Sequence, residues 1–149
     1  MRLARLALIA DYLNEKSSGD KARAAIKRLI IPWLDSSNTN KLHYDTVYGG
    51  LITDLNVNDK VENAINGRYD NHHHQYGYQV YAAAVLAKED VDFLNKYKDQ
   101  LLVFVRDYAN PSQTDPYFPY ARHKDWYNGH SWSGGLAEYD DNRNEQSVS

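Results

Sequence analysis

The chain has 149 residues, 42% of them hydrophobic and 25% charged, and its 17 Lys and Arg against 20 Asp and Glu leave a net charge of −3. That is length enough for one ordinary domain with one core, and the slightly acidic balance offers no footprint for nucleic acid. No apolar run approaches the roughly 18 residues of a membrane span, and the absence of cysteine removes disulfides, thiolate catalysis and zinc–thiolate sites together.

The opening, MRLARLALIADYLNEK, has early arginines and an apolar stretch, but Asp11 and Glu15 follow and no small-residue cleavage site is visible. With Leu3, Leu6, Ala7, Ala10 and Leu13 at helical spacing, it reads as an amphipathic helix rather than a signal peptide. A second helix is predicted from about Asp20, where Ala22, Ala25, Ile26, Leu29, Ile30 and Trp33 share the same spacing. Gly19 is read as the break between the two, Ser18 or Asp20 as the cap, and Pro32 as the end or a kink. SSNTN (36–40) is a polar loop, and Leu42 to Thr53, with its Gly49-Gly50 pair, reads as a short extended piece plus a turn. Residues 54–71 are polar and turn-rich, with one helical turn around Val61 to Ile65. Tyr76 to Ala87 suits a buried helix. Val91 to Tyr108 is the clearest amphipathic helix, with Leu94, Leu101, Leu102, Val105 and Tyr108 on one side. From Asn110 to Gly135 the chain holds Pro111, Pro116 and Pro119 among many aromatics, a long loop of the kind that usually carries function.

The aromatic balance is unusual, with 13 Tyr and 3 Trp against 3 Phe. Tyr and Trp join a flat apolar face to a polar handle. A sugar ring has one apolar C–H face and a polar rim, so these residues suit a carbohydrate groove as well as interfacial packing. Reactive side chains gather in three loop regions, 69–78, 125–132 and 140–147. The consecutive His72, His73 and His74 invite a metal reading, but neighbouring histidines point in different directions and no HExxH spacing is present. GHSWSG lacks glycine at the offsets that a nucleophile elbow needs around Ser131. Glycosidic cleavage needs a pair of carboxyl groups, one to protonate the leaving oxygen and one to activate water or attack carbon. Asp70, Asp125, Asp140, Asp141 and Glu145 are the candidates, and spacing alone does not select among them.

At these loops the sequence resembles glycoside hydrolase family 81. DNHHHQYGYQVYAAAVLA (70–87), DWYNGHSWS (125–133) and RNEQSVS (143–149) correspond, in order, to three family motifs, and LARLALIADYL and YDTVYGGLIT add to the likeness. The similarity therefore spans nearly the whole chain. It implies an all-α fold, part of an (α/α)6 toroid of antiparallel helix pairs, incomplete at the C-terminus. All of 1–149 would be a piece of that single catalytic domain, without the β-sandwich domain that precedes it in the family. It implies inverting endo-hydrolysis of β-1,3-glucan, such as laminarin or cell-wall glucan, with no metal or organic cofactor. The parent is expected to be monomeric, extracellular or wall-associated, with no nucleic-acid or membrane partner.

The family places its general acid immediately before His-His, where this chain has Asn71, with the carboxylate one residue earlier at Asp70. Its general base falls at Gln146, with Glu145 just before. Amides cannot exchange protons as carboxyl groups do. The expected catalytic pair is therefore Asp70 as acid and Glu145 as base. The other motif positions, His72, His73, Tyr76, Tyr78, Asp125, Trp126, Tyr127, His130 and Trp132, are implied to bind substrate. The alternative is a glucan-binding relative or inactive fragment that has lost its acids.

Overall fold

The computed structural model describes residues 1–53, 69–133 and 146–147. It falls into two compact units, one formed by Met1–Thr39 and Gly77–Val103, the other by Asn40–Tyr76 and Phe104–Ser149. The expected all-α class holds in part. Helices dominate, but two small antiparallel sheets stand beside them, one of two strands and one of three. No helix among the described residues is long and apolar enough to cross a membrane.

In the first unit, α1 (Arg2–Tyr12) packs on α2 (Lys16–Leu34). The buried face of α1 is Ala4, Ala7 and Ala10, small side chains that let the helices approach. Opposite them α2 buries Ala22, Ile26, Ile30 and Leu34. The break between the helices is not Gly19. It is residues 13–15, where Asn14 takes φ +59° and the Glu15 amide bonds back to the Ala10 carbonyl at 2.8 Å. Gly19 lies inside α2 and is buried; a Cβ there would meet Arg23 Nη1 at 2.9 Å while sitting at ordinary contact distance, 3.6 Å, from Ala10 Cβ, so its smallness leaves room for the Arg23 guanidinium. Pro32 does not stop the helix, which runs on to Leu34. Arg23 forms an ion pair with Asp11 across the two helices.

Two further helices pass through both units, α3 (His72–Glu89) and α4 (Val91–Ala109). To the first unit they bring Ala82, Ala83, Val85, Leu86, Phe93 and Tyr97, all buried. Asp90 separates them: its Oδ1 accepts the Phe93 amide at 2.8 Å, an N-cap for α4, and its carboxylate pairs with Lys27. Those two hydrogen-bonding partners hold the Asp90 carboxyl below its ordinary range. The buried stripe of α4 is Phe93, Tyr97, Phe104 and Asp107 rather than the expected leucines; Leu102 is half exposed. Large aromatic rings bury more area than leucine and take the inward positions.

The second unit holds the loops. Strands β1 (Leu42–Asp45) and β2 (Gly50–Thr53) form a hairpin in which Asp45 faces Gly50. This is the extended piece and turn expected there, closed by the Gly49 amide on the Asp45 carbonyl with Gly49 at φ +63°. Farther on, Asn110 and Asp115 organise the proline-rich loop. The Asn110 side-chain amide donates to the Phe118 carbonyl at 2.8 Å, and Asp115 accepts the Tyr117 and Phe118 amides while pairing with Arg106. The Arg106 partner, first among several donors, keeps the Asp115 carboxyl far below the usual range. The last sheet runs β3 (Lys124–Asp125), β4 (His130–Trp132), β5 (Gln146–Ser147), all antiparallel.

Candidate active site

The three sequence motifs are joined by backbone hydrogen bonds inside the second unit. The Asn71 amide donates to the Ser133 carbonyl at 2.8 Å, tying the first motif to the end of the second. Strand β4 then pairs with β5, Trp132 opposite Gln146 and Ser131 opposite Ser147, tying the second to the third. Glu145 lies outside the described residues.

Asp70 sits in a tight turn just ahead of α3. Both neighbours have positive φ, Tyr69 at +61° and Asn71 at +49°. Such a turn persists only where its surroundings determine it. Asp70 is 8% exposed and accepts the Asn71 side-chain amide at 3.1 Å. The histidine run is not loop, as the sequence suggested, but the first turn of α3. His72 therefore points inward while His73 and His74 stack on each other, ring centres 4.4 Å apart. Among the described residues, no cluster of His, Cys, Asp or Glu could hold a metal.

His72 and Tyr76, expected on a groove wall, are instead fully buried, because successive turns of α3 carry them into the core against Phe104. His72 Nε2 lies 2.8 Å from Asp107 Oδ2, and the Tyr76 hydroxyl donates to the Leu51 carbonyl at 2.6 Å. The same Asp107 oxygen accepts the Leu51 amide at 2.8 Å, and its other oxygen lies 2.9 Å from Arg122 Nη2. Arg122 also donates to the Tyr48 and Gly49 carbonyls and lies over the Tyr69 ring, 4.6 Å from its centre. Burial, and then the hydrogen bond to Asp45, pushes the Tyr69 hydroxyl well above its ordinary pKa. Sequence reasoning assigned no role to Asp45, Tyr69, Asp107 or Arg122, although Tyr69 and Asp45 lie in stretches it quoted.

In the second motif, Asp125 is the organiser of a turn. Its Oδ1 accepts the Tyr127 and Asn128 amides, each at 2.9 Å, and its Oδ2 accepts the Trp132 indole N–H at 3.0 Å. These bonds, Asn128 foremost, hold its pKa down to about 2, so it is ionised under ordinary conditions and is unsuited to donate a proton. Tyr127 is 96% exposed and Trp126 64%, and Trp126 lies parallel to Tyr120 with ring centres 5.4 Å apart. His130 packs edge-on against Trp132. A cavity of about 380 Å³ opens here, lined by His73, Tyr108, Tyr120, His123, Lys124 and Trp126. Burial and the neighbouring imidazoles lower His73 to about 4 and His123 to about 3, so both rings are neutral at ordinary pH. Tyr78 belongs to the first unit, where it lines an apolar cavity of about 440 Å³ with Leu29, Ile30 and Trp33.

Ordered motifs joined through one strand, with exposed aromatic rings beside a carboxylate-organised turn, fit a glycoside hydrolase module. The model of the glycosyl hydrolase family 81 C-terminal domain matches residues 1–149, and the chain belongs to that family. It is 35% identical over 95% of its length to the primary septum glucan endo-1,3-beta-D-glucosidase of Schizosaccharomyces pombe, and 38% identical over 99% to a glucan endo-1,3-beta-D-glucosidase of Glycine max. It spans 14% and 22% of those proteins. A solved glycoside hydrolase family 81 structure from Clostridium thermocellum superposes over 90% of this chain and 19% of its own, with a TM-score of 0.73 and 27% identity.

Proposed function

We propose that this chain is the site-bearing portion of a β-1,3-glucan endo-hydrolase that works by inversion, with Asp70 as general acid and Glu145 as general base. The observation that carries the reading is the convergence of all three motifs, through the Asn71–Ser133 bond and the β4–β5 pairing. That convergence joins the segment following Asp70 to strand β5 (Gln146–Ser147) through β4, which supports a site shared by the first and third motifs. Inversion requires the two carboxyl groups about 6.5–9.5 Å apart, with water between them. The exposed Trp126 and Tyr127 offer apolar faces to sugar rings, and His73, His130 and Trp132 complete the substrate-binding set. The parent domain on this reading is an (α/α)6 toroid, monomeric and placed outside the cell or in its wall, where β-1,3-glucan is found.

The test uses a protein carrying this chain at full length. Wild type should release reducing ends from laminarin, with the product anomer inverted by NMR. Asp70→Asn should lower kcat by about 10²–10⁴-fold. A folded Asp70→Asn variant with unchanged kcat would remove Asp70 from the mechanism. The amide at Asn71 favours a second reading, a glucan-binding relative without catalysis. Laminarin binding with no release of reducing ends would select it.

A further inference from the structure

Building on the glucanase reading, we propose that Asp107 is a positioning residue: through His72 it fixes the turn that carries Asp70. Asp107 lies on α4 and is completely removed from water, as is the His72 ring. A buried carboxylate needs compensation, and the two oxygens divide that task. Oδ1 faces Arg122, at 2.9 Å from Nη2 and 3.1 Å from Nε. Oδ2 serves His72 Nε2 and the Leu51 amide, both at 2.8 Å. The ion pair with Arg122 answers the charge. The Oδ2 side is aimed instead at the first residue of α3 and at strand β2.

His72 directly follows Asn71, the single residue that separates it in sequence from Asp70. The turn has positive φ on both sides of Asp70, so it needs restraint to persist. Among the described restraints at its downstream end are the Asn71 amide on Ser133, the Gln75 amide on the Asn71 carbonyl, the His72 ring against Tyr69 and Tyr76, and the His72 ring on Asp107. The His72–Asp107 contact, like the Asn71–Ser133 bond, links the turn to a distant segment of the chain. Loss of the His72–Asp107 contact lets the turn relax and the acid drift. A displacement of about 1 Å of a reacting group can cost about 10²-fold in rate. Asp107 touches no substrate in this scheme.

The experiment measures laminarin hydrolysis by the full-length protein. Asp107→Asn, similar in size, should lower kcat by about 10²-fold with KM unchanged. His72→Gln leaves the Asp107–Arg122 pair in place and should cause the same kcat loss with a smaller fall in Tm. The double variant should lose no more than either single one, because both break one link. If Asp107→Asn does not fold, His72→Gln carries the test alone. Wild-type kcat in folded His72→Gln, or losses that multiply in the double variant, would overturn the assignment while leaving the glucanase reading intact. An inactive wild type would overturn both.

Discussion

Two glycines of this chain look alike in sequence and predict opposite responses. A Cβ on Gly50 would lie 2.5 Å from Tyr69 Cε1 and 2.8 Å from Arg122 Nη2. Both neighbours are fixed, Tyr69 by Asp45 and Arg122 by Asp107 and two carbonyls, so neither can yield cheaply. Gly50→Ala should cost about 1–3 kcal/mol by overpacking. Gly77 lies within α3 with nothing inside 4 Å of its would-be Cβ. Gly77→Ala should therefore stabilise by about 0.5–1 kcal/mol, through helix propensity. Denaturant melts of the two variants check both signs.

The elements show which levels of structure sequence reasoning reaches. Helices α2 and α4 follow from apolar spacing, a signal local to the chain, and the β1–β2 hairpin follows from β-branched and aromatic residues around a glycine pair. The early start of α3 was hidden because three histidines and a glutamine carry no apolar period, and only packing of His72 and Tyr76 into the core makes that turn helical. Gly19 misleads for the opposite reason: local propensity marks a break, but the helix runs through it and buries it in the packed face of α2. Asp107 was invisible, since it looks like one more acid on an amphipathic helix. Its partners Arg122, His72 and Leu51 lie 15, 35 and 56 residues away. Asp70 was singled out from the candidate carboxylates only through motif resemblance, because 20 acids carry no local mark that selects among them. The importance of Asp107 to the element network gives a stability test. Asp107→Ala removes the carboxylate shared by Arg122, His72 and the Leu51 amide, leaving Arg122 only carbonyl acceptors for its buried charge. It should cost about 3–5 kcal/mol, the usual loss when one member of a buried ion pair is removed. A cost below about 1 kcal/mol, the range of surface pairs, would show that water reaches this network.

At the scale of the whole molecule, acid should act first through the imidazoles. His73 and His123 have ring centres 4.6 Å apart, with His74 stacked on the former and His72 at 5.9 Å from the latter. Burial is the larger cause of their lowered pKa values, about 4 and about 3, and the facing imidazoles add to it, joined at His123 by Arg122. Unfolded, both titrate near 6.5. The unfolded state thus binds protons that the folded state refuses, and stability falls as pH falls across that gap. The contribution is fully present above about pH 6.5 and is lost progressively toward about pH 4 and, for His123, pH 3. Carboxylates are separable from this effect. Asp125, held at about 2 by its hydrogen bonds, contributes stability that is lost only below the ordinary aspartate range near pH 4. The interval from about pH 6.5 to 4 therefore reports the histidines. Tm should decline across it, and His123→Phe, which keeps a ring in place but cannot take a proton, should flatten the decline. If Tm in that interval were level in the wild type, or fell equally in His123→Phe, the imidazole cluster would not be the acid-sensitive element of this fold.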